Sequence, residues 1–367
     1  MRFMTWRKAA LIGLIIVGLG IPPQTYSALA RSQQGPQPQV PAQPEPPSQP
    51  NGKQQAPPKS AQEAPETAIS SQSTVVNLDV VVTDNDGNIV TNLKRENFKI
   101  TDNGVEQQVA NFAPSDAPLM MVMLMEYSAE AFGFFSLDSY KGTVWADDFL
   151  RQMKPADWVA LKTFDLRTTL QVDFTHSPQE IDASLRSLGF PAFHEAVLFD
   201  AIFNTIDELK SVRGKKSILL ITRGYDTISH HRLDETYNLL KETDVTIFAV
   251  GTGEERELYG NSPIGYLQAK NQLSEFTRLT GGYAWFPRFS GELPGIFNSV
   301  SAFLRNQYTV GFSPSTPQDG RYHKLAVSIV DADGNPLMLN DAKGKKHKVN
   351  VYARPGYTAP NAAASGN

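Results

Sequence analysis

Three oxygen-bearing side chains follow the most apolar segment of the chain at a spacing of two residues. Glu126, Ser128 and Glu130 come directly after the run Leu119–Met125, which contains no polar residue. Such a run is typical of a strand that is buried on both faces at the centre of a parallel sheet. Ligands bind beyond the carboxyl ends of such strands, so we predict a site there. Carboxylate and hydroxyl oxygens suit a hard divalent cation or acid–base chemistry.

Three histidines are expected near the same edge of the sheet. His194 lies in a later loop, and His230 and His231 follow another predicted strand. Histidine together with glutamate is a known type of zinc ligand set. The spacing here matches no compact zinc motif, so we expect exposed or capping histidines and no bound metal.

Other candidate sites lack their defining partners. Gly251-Thr252-Gly253 follows a predicted strand, but the remaining residues of a dinucleotide fingerprint are missing. Ser128 is not in a Gly-x-Ser-x-Gly elbow. Asp157 and Asp165 border a strand without a matched partner and are predicted to be turn residues. The sequence therefore predicts no catalytic residues and no cofactor.

Composition excludes several classes of protein. The chain has 367 residues, a formal net charge of −4 and no cysteine. A weakly acidic chain has no electrostatic footprint for nucleic acid. Without cysteine, disulfides, thiolate nucleophiles and thiolate metal sites cannot form.

The N-terminal region predicts export. Basic residues precede the apolar segment Ala9–Ile21, and Ala28-Leu29-Ala30 provides small residues for cleavage. We predict a signal peptide over residues 1–30, with an uncleaved anchor as the alternative. The mature protein would then lie outside the cytoplasm, in the periplasm or secreted, and would meet the membrane only transiently. Residues 31–72, rich in proline and glutamine, are predicted to be a disordered linker.

Alternating segments predict an α/β domain over residues 117–307. Predicted strands alternate with predicted helices, which implies right-handed crossovers and a doubly wound, mainly parallel sheet flanked by helices. Thr168–Phe174 is predicted to form a hairpin with the strand before it. The strand candidates are Leu119–Met125, Trp158–Phe164, Ser217–Ile221, Val245–Val250 and Tyr283–Phe286; the helix candidates are Asp138–Met153, Pro178–Leu188, Ala196–Leu209, Leu233–Glu242, Gln268–Leu279 and Glu292–Leu304.

Short β segments flank this domain on both sides. Residues 73–116 read as a β-meander with turns at Asp84–Asn88 and Asp102–Gly104, and residues 308–357 return to strand patterns. The meander is too short to bury a good core alone. We therefore predict that both halves form one small β-sandwich into which the α/β domain is inserted, followed by a disordered tail over residues 358–367.

Residues 75–357 resemble the von Willebrand factor A-related proteins described from Acidobacteria. The resemblance is carried by the pattern Val-x-Val-Thr-Asp-x-x-Gly ending at Gly87, by Glu96-Asn97-Phe98, and by the closing segments Tyr308–Phe312 and Ala353–Tyr357. It implies a Rossmann-like A-domain whose relatives mostly bind other macromolecules through loops at one end of the sheet.

The family's metal-ion-dependent adhesion site is degenerate in this sequence. The family's first loop supplies an Asp and two Ser, the second loop a Thr and the third an Asp. At these five positions the chain has Glu126, Ser128, Glu130, Ala196 and Arg223. A fixed positive charge at the last position opposes a cation by about 4 kcal/mol at 4 Å in a medium of effective dielectric near 20. The resemblance, taken together with these changes, therefore disfavours binding of Mg²⁺ at this site.

The same changes suggest a replacement for the ion. The Arg223 guanidinium is predicted to lie between the carboxylates of Glu126 and Glu130 and to hold the loops together. The alternative is that these side chains face solvent at a decayed site.

Aromatic residues are expected around the same loops. Phe132 and Phe134 follow the first loop, Phe193 lies in the second, and Tyr225 with Asp226 lies in the third. Aromatic side chains are enriched at interface centres, so we predict these five as partner-binding candidates. The alternative is local core packing beneath the loops.

The sequence as a whole predicts an exported, non-enzymatic interaction or adhesion module. Its partner would be a protein or another cell-envelope ligand, and not nucleic acid. One rival is a metal-dependent or hydrolytic enzyme that uses Glu126, Glu130 and the nearby histidines. Another is a purely structural component of the cell envelope.

Overall fold

The computed structural model describes residues 75–114, 118–131, 149–252, 263–317, 319–341 and 343–360. The predicted signal peptide and linker, the candidates Phe132 and Phe134, and most of the predicted helix Asp138–Met153 lie outside the described residues. Among the described residues, no helix is both long and apolar enough to cross a membrane.

Strands and helices alternate through the middle of the chain, with strands alone on either side. The strands are β1 (Val76–Thr83), β2 (Phe98–Asp102), β3 (Val105–Gln107), β4 (Val109–Pro114), β5 (Leu119–Glu126), β6 (Trp158–Phe164), β7 (Thr168–Thr175), β8 (Lys215–Thr222), β9 (Thr246–Gly251), β10 (Ala284–Trp285), β11 (Tyr308–Phe312), β12 (Tyr322–Ile329), β13 (Met338–Asn340), β14 (Lys346–Lys348), β15 (Asn350–Tyr352) and β16 (Gly356–Thr358). The α-helices described in full are α1 (Pro178–Ser187), α2 (Leu198–Leu209), α3 (Leu233–Glu242), α4 (Pro263–Thr280) and α5 (Leu293–Arg305).

A six-stranded sheet forms the centre of the α/β part, in the order β10-β9-β8-β5-β6-β7. The pairings from β10 through β6 are parallel, and β7 joins β6 antiparallel. The predicted mainly parallel sheet and the predicted hairpin are therefore confirmed. The apolar strand β5 is central because it lies between β6 and β8, and both of its faces are covered.

Two apolar clusters pack on opposite faces of this sheet. Met121 and Met123 belong to one cluster, which includes Phe297 and Val300 of α5. Val122 and Leu124 belong to the other, which includes Ile202 of α2 and Phe276 of α4. Alternate residues of one strand thus bury into different cores, which explains the absence of polar alternation in the sequence. Each fully buried side chain of this size contributes about 1.5–3 kcal/mol.

The strands before and after the α/β part pair with each other. β1 lies between β11 and β15, while β12 lies between β2 and β16, giving two four-stranded sheets. Val80 of β1 stands opposite Tyr308 of β11, for example. Both sheets contribute to one apolar cluster that contains Leu78, Ile100, Phe312 and Leu325. The last strand reaches Thr358, one residue into the segment predicted as the tail.

Candidate functional site

The site lies where two neighbouring parallel strands end. Glu126 is the last residue of β5 and Thr222 is the last residue of β8, and these strands are paired along their length. Directly after Thr222 the chain turns at Gly224, whose φ of 85° lies in the left-handed region that favours glycine. This turn leaves Arg223 beside the end of β5.

Arg223 forms a buried ion pair with Glu126. Its Nη2 lies 2.6 Å from Glu126 Oε1, and its Nε donates to the same oxygen at 2.8 Å. Nη2 also donates to the Ser128 hydroxyl at 3.2 Å. The Glu126 side chain is inaccessible to solvent and the Arg223 side chain is 12% exposed. The guanidinium therefore lies against two of the three oxygen-bearing side chains of the first loop, Glu126 and Ser128.

Other donors complete the shell around the Glu126 carboxylate. Ser128 Oγ donates to Oε1 at 2.8 Å. Thr222 Oγ1 donates to Oε2 at 2.6 Å, and the backbone N–H of Arg223 donates to Oε2 at 2.8 Å. A carboxylate has about four lone-pair sites. These contacts occupy the acceptor capacity of Glu126, so the carboxylate is fully hydrogen-bonded by the protein itself.

Glu130 and Ala196 lie apart from this ion pair. Glu130 Oε1 is 2.6 Å from Nδ1 of His194; the His194 side chain is 73% exposed and the Glu130 side chain 38%. Arg223 thus contacts one of the two carboxylates it was expected to bridge, and Glu130 has a histidine partner instead. Ala196 is completely buried, and its backbone N–H donates to the Thr227 hydroxyl at 2.8 Å. Its methyl side chain has no atom that could coordinate a metal ion.

Asp200 connects the start of α2 to the loop after β8. Its carboxylate accepts hydrogen bonds from the backbone N–H groups of His230 and His231, and both ring Nδ1 atoms lie within 2.9 Å of it. Burial alone would raise the pKa of Asp200, but these hydrogen bonds outweigh it and hold the pKa well below its ordinary value. The histidines are therefore partners of Asp200, and His230 is almost fully exposed.

The predicted partner-binding residues differ in what their side chains do. Phe193 is 42% exposed, and Phe190 and Ile228 nearby in the same loops are also exposed. Tyr225 is half-buried, with its ring 5.8 Å from the Arg223 guanidinium carbon. The carboxylate of Asp226 accepts from the backbone N–H groups of Phe199 at 3.1 Å and Ser229 at 3.2 Å. Asp226 thus caps α2 and orders its own loop.

Hydrogen bonds between backbones join the loops into one surface. The N–H of Ala129 donates to the carbonyl of Phe193 at 2.7 Å, and the N–H of Thr227 donates to the carbonyl of Ala196 at 2.9 Å. We call the surface formed by residues 127–131, 189–197 and 223–231 the loop face. These hydrogen bonds tie the three segments of the loop face to one another.

Sequence reasoning missed Thr222, Thr227 and Asp200 as site residues. Thr222 directly precedes the predicted site residue Arg223. Its position at the end of a strand was the only sequence feature that could have identified it. Asp200 lies one turn after Ala196 and about thirty residues before its histidines, so no local pattern marks the contact. Within the described part of the chain, no group of three or more His, Asp or Glu side chains is arranged to hold a metal ion.

Comparisons with known proteins give structural likeness only. No family model matches the sequence, and no curated protein sequence matches it. The chain is similar to an aerotolerance-related membrane protein from Bacteroides fragilis, at 14% identity and a TM-score of 0.40, over 50% of this chain and 98% of that one. It is also similar to the vWF domain of the type V pili tip protein Mfa5 from Porphyromonas gingivalis. The identity is 9% and the TM-score 0.36, over 51% of this chain and 95% of that one.

A third similar structure is proximal thread matrix protein 1 from the mussel byssus. The identity is 14% and the TM-score 0.41, over 54% of this chain and 49% of that one, so this chain spans about half of the mussel protein. All these TM-scores are below 0.5. The architecture given above rests on the strand order and helices of the chain itself.

Proposed function

We propose that this chain is an exported, non-enzymatic interaction module of the von Willebrand factor A type. It binds a protein or another cell-envelope ligand through its loop face, and it does so without a metal ion. The observation that carries this proposal is the buried pair of Glu126 and Arg223, in which a guanidinium lies against the oxygens that an ion would need.

Electrostatics support the metal-independent part of the proposal. A divalent cation beside Glu126 would have to displace a guanidinium already 2.6 Å from that carboxylate, or bind next to it. At close range the repulsion between the two cations is several kcal/mol, even with generous screening. The arginine also supplies what an ion supplies in such a site, namely positive charge that joins the loop after β5 to the loop after β8.

The position of Glu126 also supports a non-enzymatic role. A general base must reach the proton it removes. The Glu126 carboxylate is inaccessible to solvent and its lone pairs are already hydrogen-bonded. Glu130 and His194 are exposed, and among the described ion pairs each is the only charged partner of the other. This arrangement favours recognition over turnover.

The exposed apolar side chains of the loop face support partner binding. Phe190, Phe193 and Ile228 of the loop face present their side chains to solvent. Aromatic anchors at the centre of an interface carry a large share of its binding energy. In this proposal, residues 1–30 direct export, residues 31–72 act as a tether, and the two flanking four-stranded sheets form a β-sandwich that carries the domain.

Phe193→Ser tests the role of the loop face. We expect this variant to bind the producing organism's envelope fraction at least tenfold more weakly than the wild type, because an anchor residue is removed. Binding of the wild type should not change when EDTA is added. The measurement is a quantitative co-sedimentation titration with the purified mature chain.

Met338→Ser is the matched control for this experiment. Met338 is also 42% exposed, but it lies on β13, outside the loop face. It should bind like the wild type. Equal losses in both variants, or loss of wild-type binding in EDTA, would contradict the proposal.

A further inference from the structure

A cavity lies at the end of the central sheet opposite to the loop face. Its volume is about 320 Å³, within the range of small-molecule sites. The first residues of two central strands, Lys215 of β8 and Thr246 of β9, contribute to one wall. Asn77 and Asp79 of β1 and Thr309 of β11 contribute to the other. The cavity therefore lies where the central sheet meets one of the flanking sheets.

Positive charge is in excess in this cavity. Three of its side chains are cationic and two are carboxylates. Lys215 is 9% exposed and lies 3.8 Å from Asp79. Lys216 is 7% exposed and lies 2.7 Å from Asp244, whose side chain is largely in solvent. The third cation, Arg354, has no carboxylate within ion-pair distance among the described residues.

Arg354 has a donor without an acceptor. Its Nη2 donates to the backbone carbonyls of Thr243 and Lys241. Its Nε is buried and has no hydrogen-bond partner in the described part of the chain. A buried donor that is left unsatisfied is costly, so the guanidinium of Arg354, a lining residue of the cavity, keeps unused donor capacity.

Burial lowers the pKa of two cationic side chains of the cavity, Lys215 and Arg354. It lowers the pKa of Lys215, which the attraction of Asp79 opposes and the repulsion of Arg305 reinforces. It also lowers the pKa of Arg354, against the attraction of Tyr322, Asp244 and Asp79. Both groups would therefore be more stable as cations with an anion beside them.

We propose that this cavity binds a small tetrahedral oxyanion, either inorganic phosphate or the phosphate group of a small monoester. The guanidinium fork of Arg354 and the ammonium of Lys215 supply charge and donors, and hydroxyl groups of Thr243 and Thr246 lie in the same lining. The cavity is larger than a phosphate ion, which leaves room for the group that carries it. A bound anion joins strands of the central and flanking sheets and so stabilises their junction.

Phosphate-dependent unfolding of the full chain tests this site. Urea unfolding is compared in sodium phosphate and in sodium chloride, at equal pH and ionic strength. At a phosphate concentration of 100 times its dissociation constant, the unfolding equilibrium constant is expected to fall about 100-fold. Glycerol phosphate at the same concentration separates the two sources: a larger effect than that of inorganic phosphate identifies a monoester as the ligand.

Asn77→Asp is the informative variant, with Asn335→Asp as its control. Both substitutions keep the side-chain size and add one negative charge at an exposed position, but only Asn77 lines the cavity. Asn77→Asp should reduce the phosphate effect at least tenfold, while Asn335→Asp keeps it. Lys216→Gln, which removes a cation paired to a mostly exposed carboxylate, should also weaken the effect.

Two results would overturn the proposal. One is a wild-type chain that neither phosphate nor glycerol phosphate stabilises beyond chloride. The other is an equal phosphate effect in Asn77→Asp and Asn335→Asp. Neither result bears on partner binding by the loop face, because that is tested with Phe193→Ser.

Discussion

Arg223→Ala is expected to lower the free energy of unfolding by about 3–5 kcal/mol, because it leaves the buried carboxylate of Glu126 without its cation. Glu126 would retain the hydroxyls of Ser128 and Thr222 and the backbone N–H of residue 223. Hydrogen bonds from neutral groups do not cancel a buried charge. Urea unfolding followed by circular dichroism measures the change.

Arg232→Ala is the matched control for Arg223→Ala. Arg232 is 71% exposed and pairs with Asp234, which is also exposed. Exposed pairs are screened by water and contribute little to stability, so this variant should unfold at nearly the same urea concentration as the wild type. The double variant Glu126→Leu with Arg223→Met should recover much of the stability lost in Arg223→Ala, since it removes both charges. A loss below about 1 kcal/mol in Arg223→Ala would show that the pair does not hold the loops together.

Asp157→Ala is expected to produce a loss of similar size, about 3–5 kcal/mol, by breaking a second buried ion pair. The Asp157 carboxylate binds the guanidinium of Arg305 at the end of α5. It also accepts from the backbone N–H of Leu119, the first residue of β5, at 3.0 Å. The substitution would leave the buried N–H of Leu119 and the largely buried guanidinium of Arg305 without this acceptor. Since β5 ends at Glu126, Asp157 holds the start of the strand that positions the site.

The Asp157 contribution also depends on pH. Burial alone would raise the pKa of Asp157, but the hydrogen bonds from Arg305, Leu119 and Lys154 outweigh it and hold the pKa below its ordinary value of 3.8. The stabilisation is therefore complete above that value and is lost as the pH falls below it. In urea unfolding, the difference between wild type and Asp157→Ala should shrink below about pH 4.

Asp207→Ala is the control for Asp157→Ala. Asp207 is 76% exposed and pairs only with the exposed Lys210 among described ion pairs. Its substitution should change stability by less than about 1 kcal/mol. A pH-independent difference between wild type and Asp157→Ala would contradict an ionised Asp157 as the source of the stabilisation.

The pattern of apolar residues within single segments was sufficient to predict the central sheet. The run from Leu119 to Met125 predicted a strand with both faces buried, and it lies between two parallel neighbours. The hairpin of β6 and β7 was also predicted. These features depend on side-chain periodicity within one segment, which the sequence displays directly.

Contacts between distant segments were harder to predict. Asp157 was predicted to be a turn residue without a partner. Its N–H does close a turn by donating to the Lys154 carbonyl, but the absence of a partner was wrong, because its carboxylate pairs with Arg305, 148 positions later. The prediction for Asp165 as a turn residue was correct, since it accepts from the N–H of Arg167 two residues on. Arg223 was placed near Glu126 by strand order, but its distance from Glu130 depends on loop geometry. No local sequence pattern marked the cavity that Lys215 and Arg354 line.

Metal titration of the wild-type chain tests the central claim most directly. The claim is that the guanidinium of Arg223 takes the place of an ion at Glu126 and Ser128. After treatment with EDTA, the chain is titrated calorimetrically with Mg²⁺, Mn²⁺, Ca²⁺ and Zn²⁺, and its unfolding is measured with each. The account predicts no binding heat and no change in stability. An ion that bound at one equivalent, stabilised the chain by about 2.7 kcal/mol at 100 times its dissociation constant, and did neither in Ser128→Ala would contradict it.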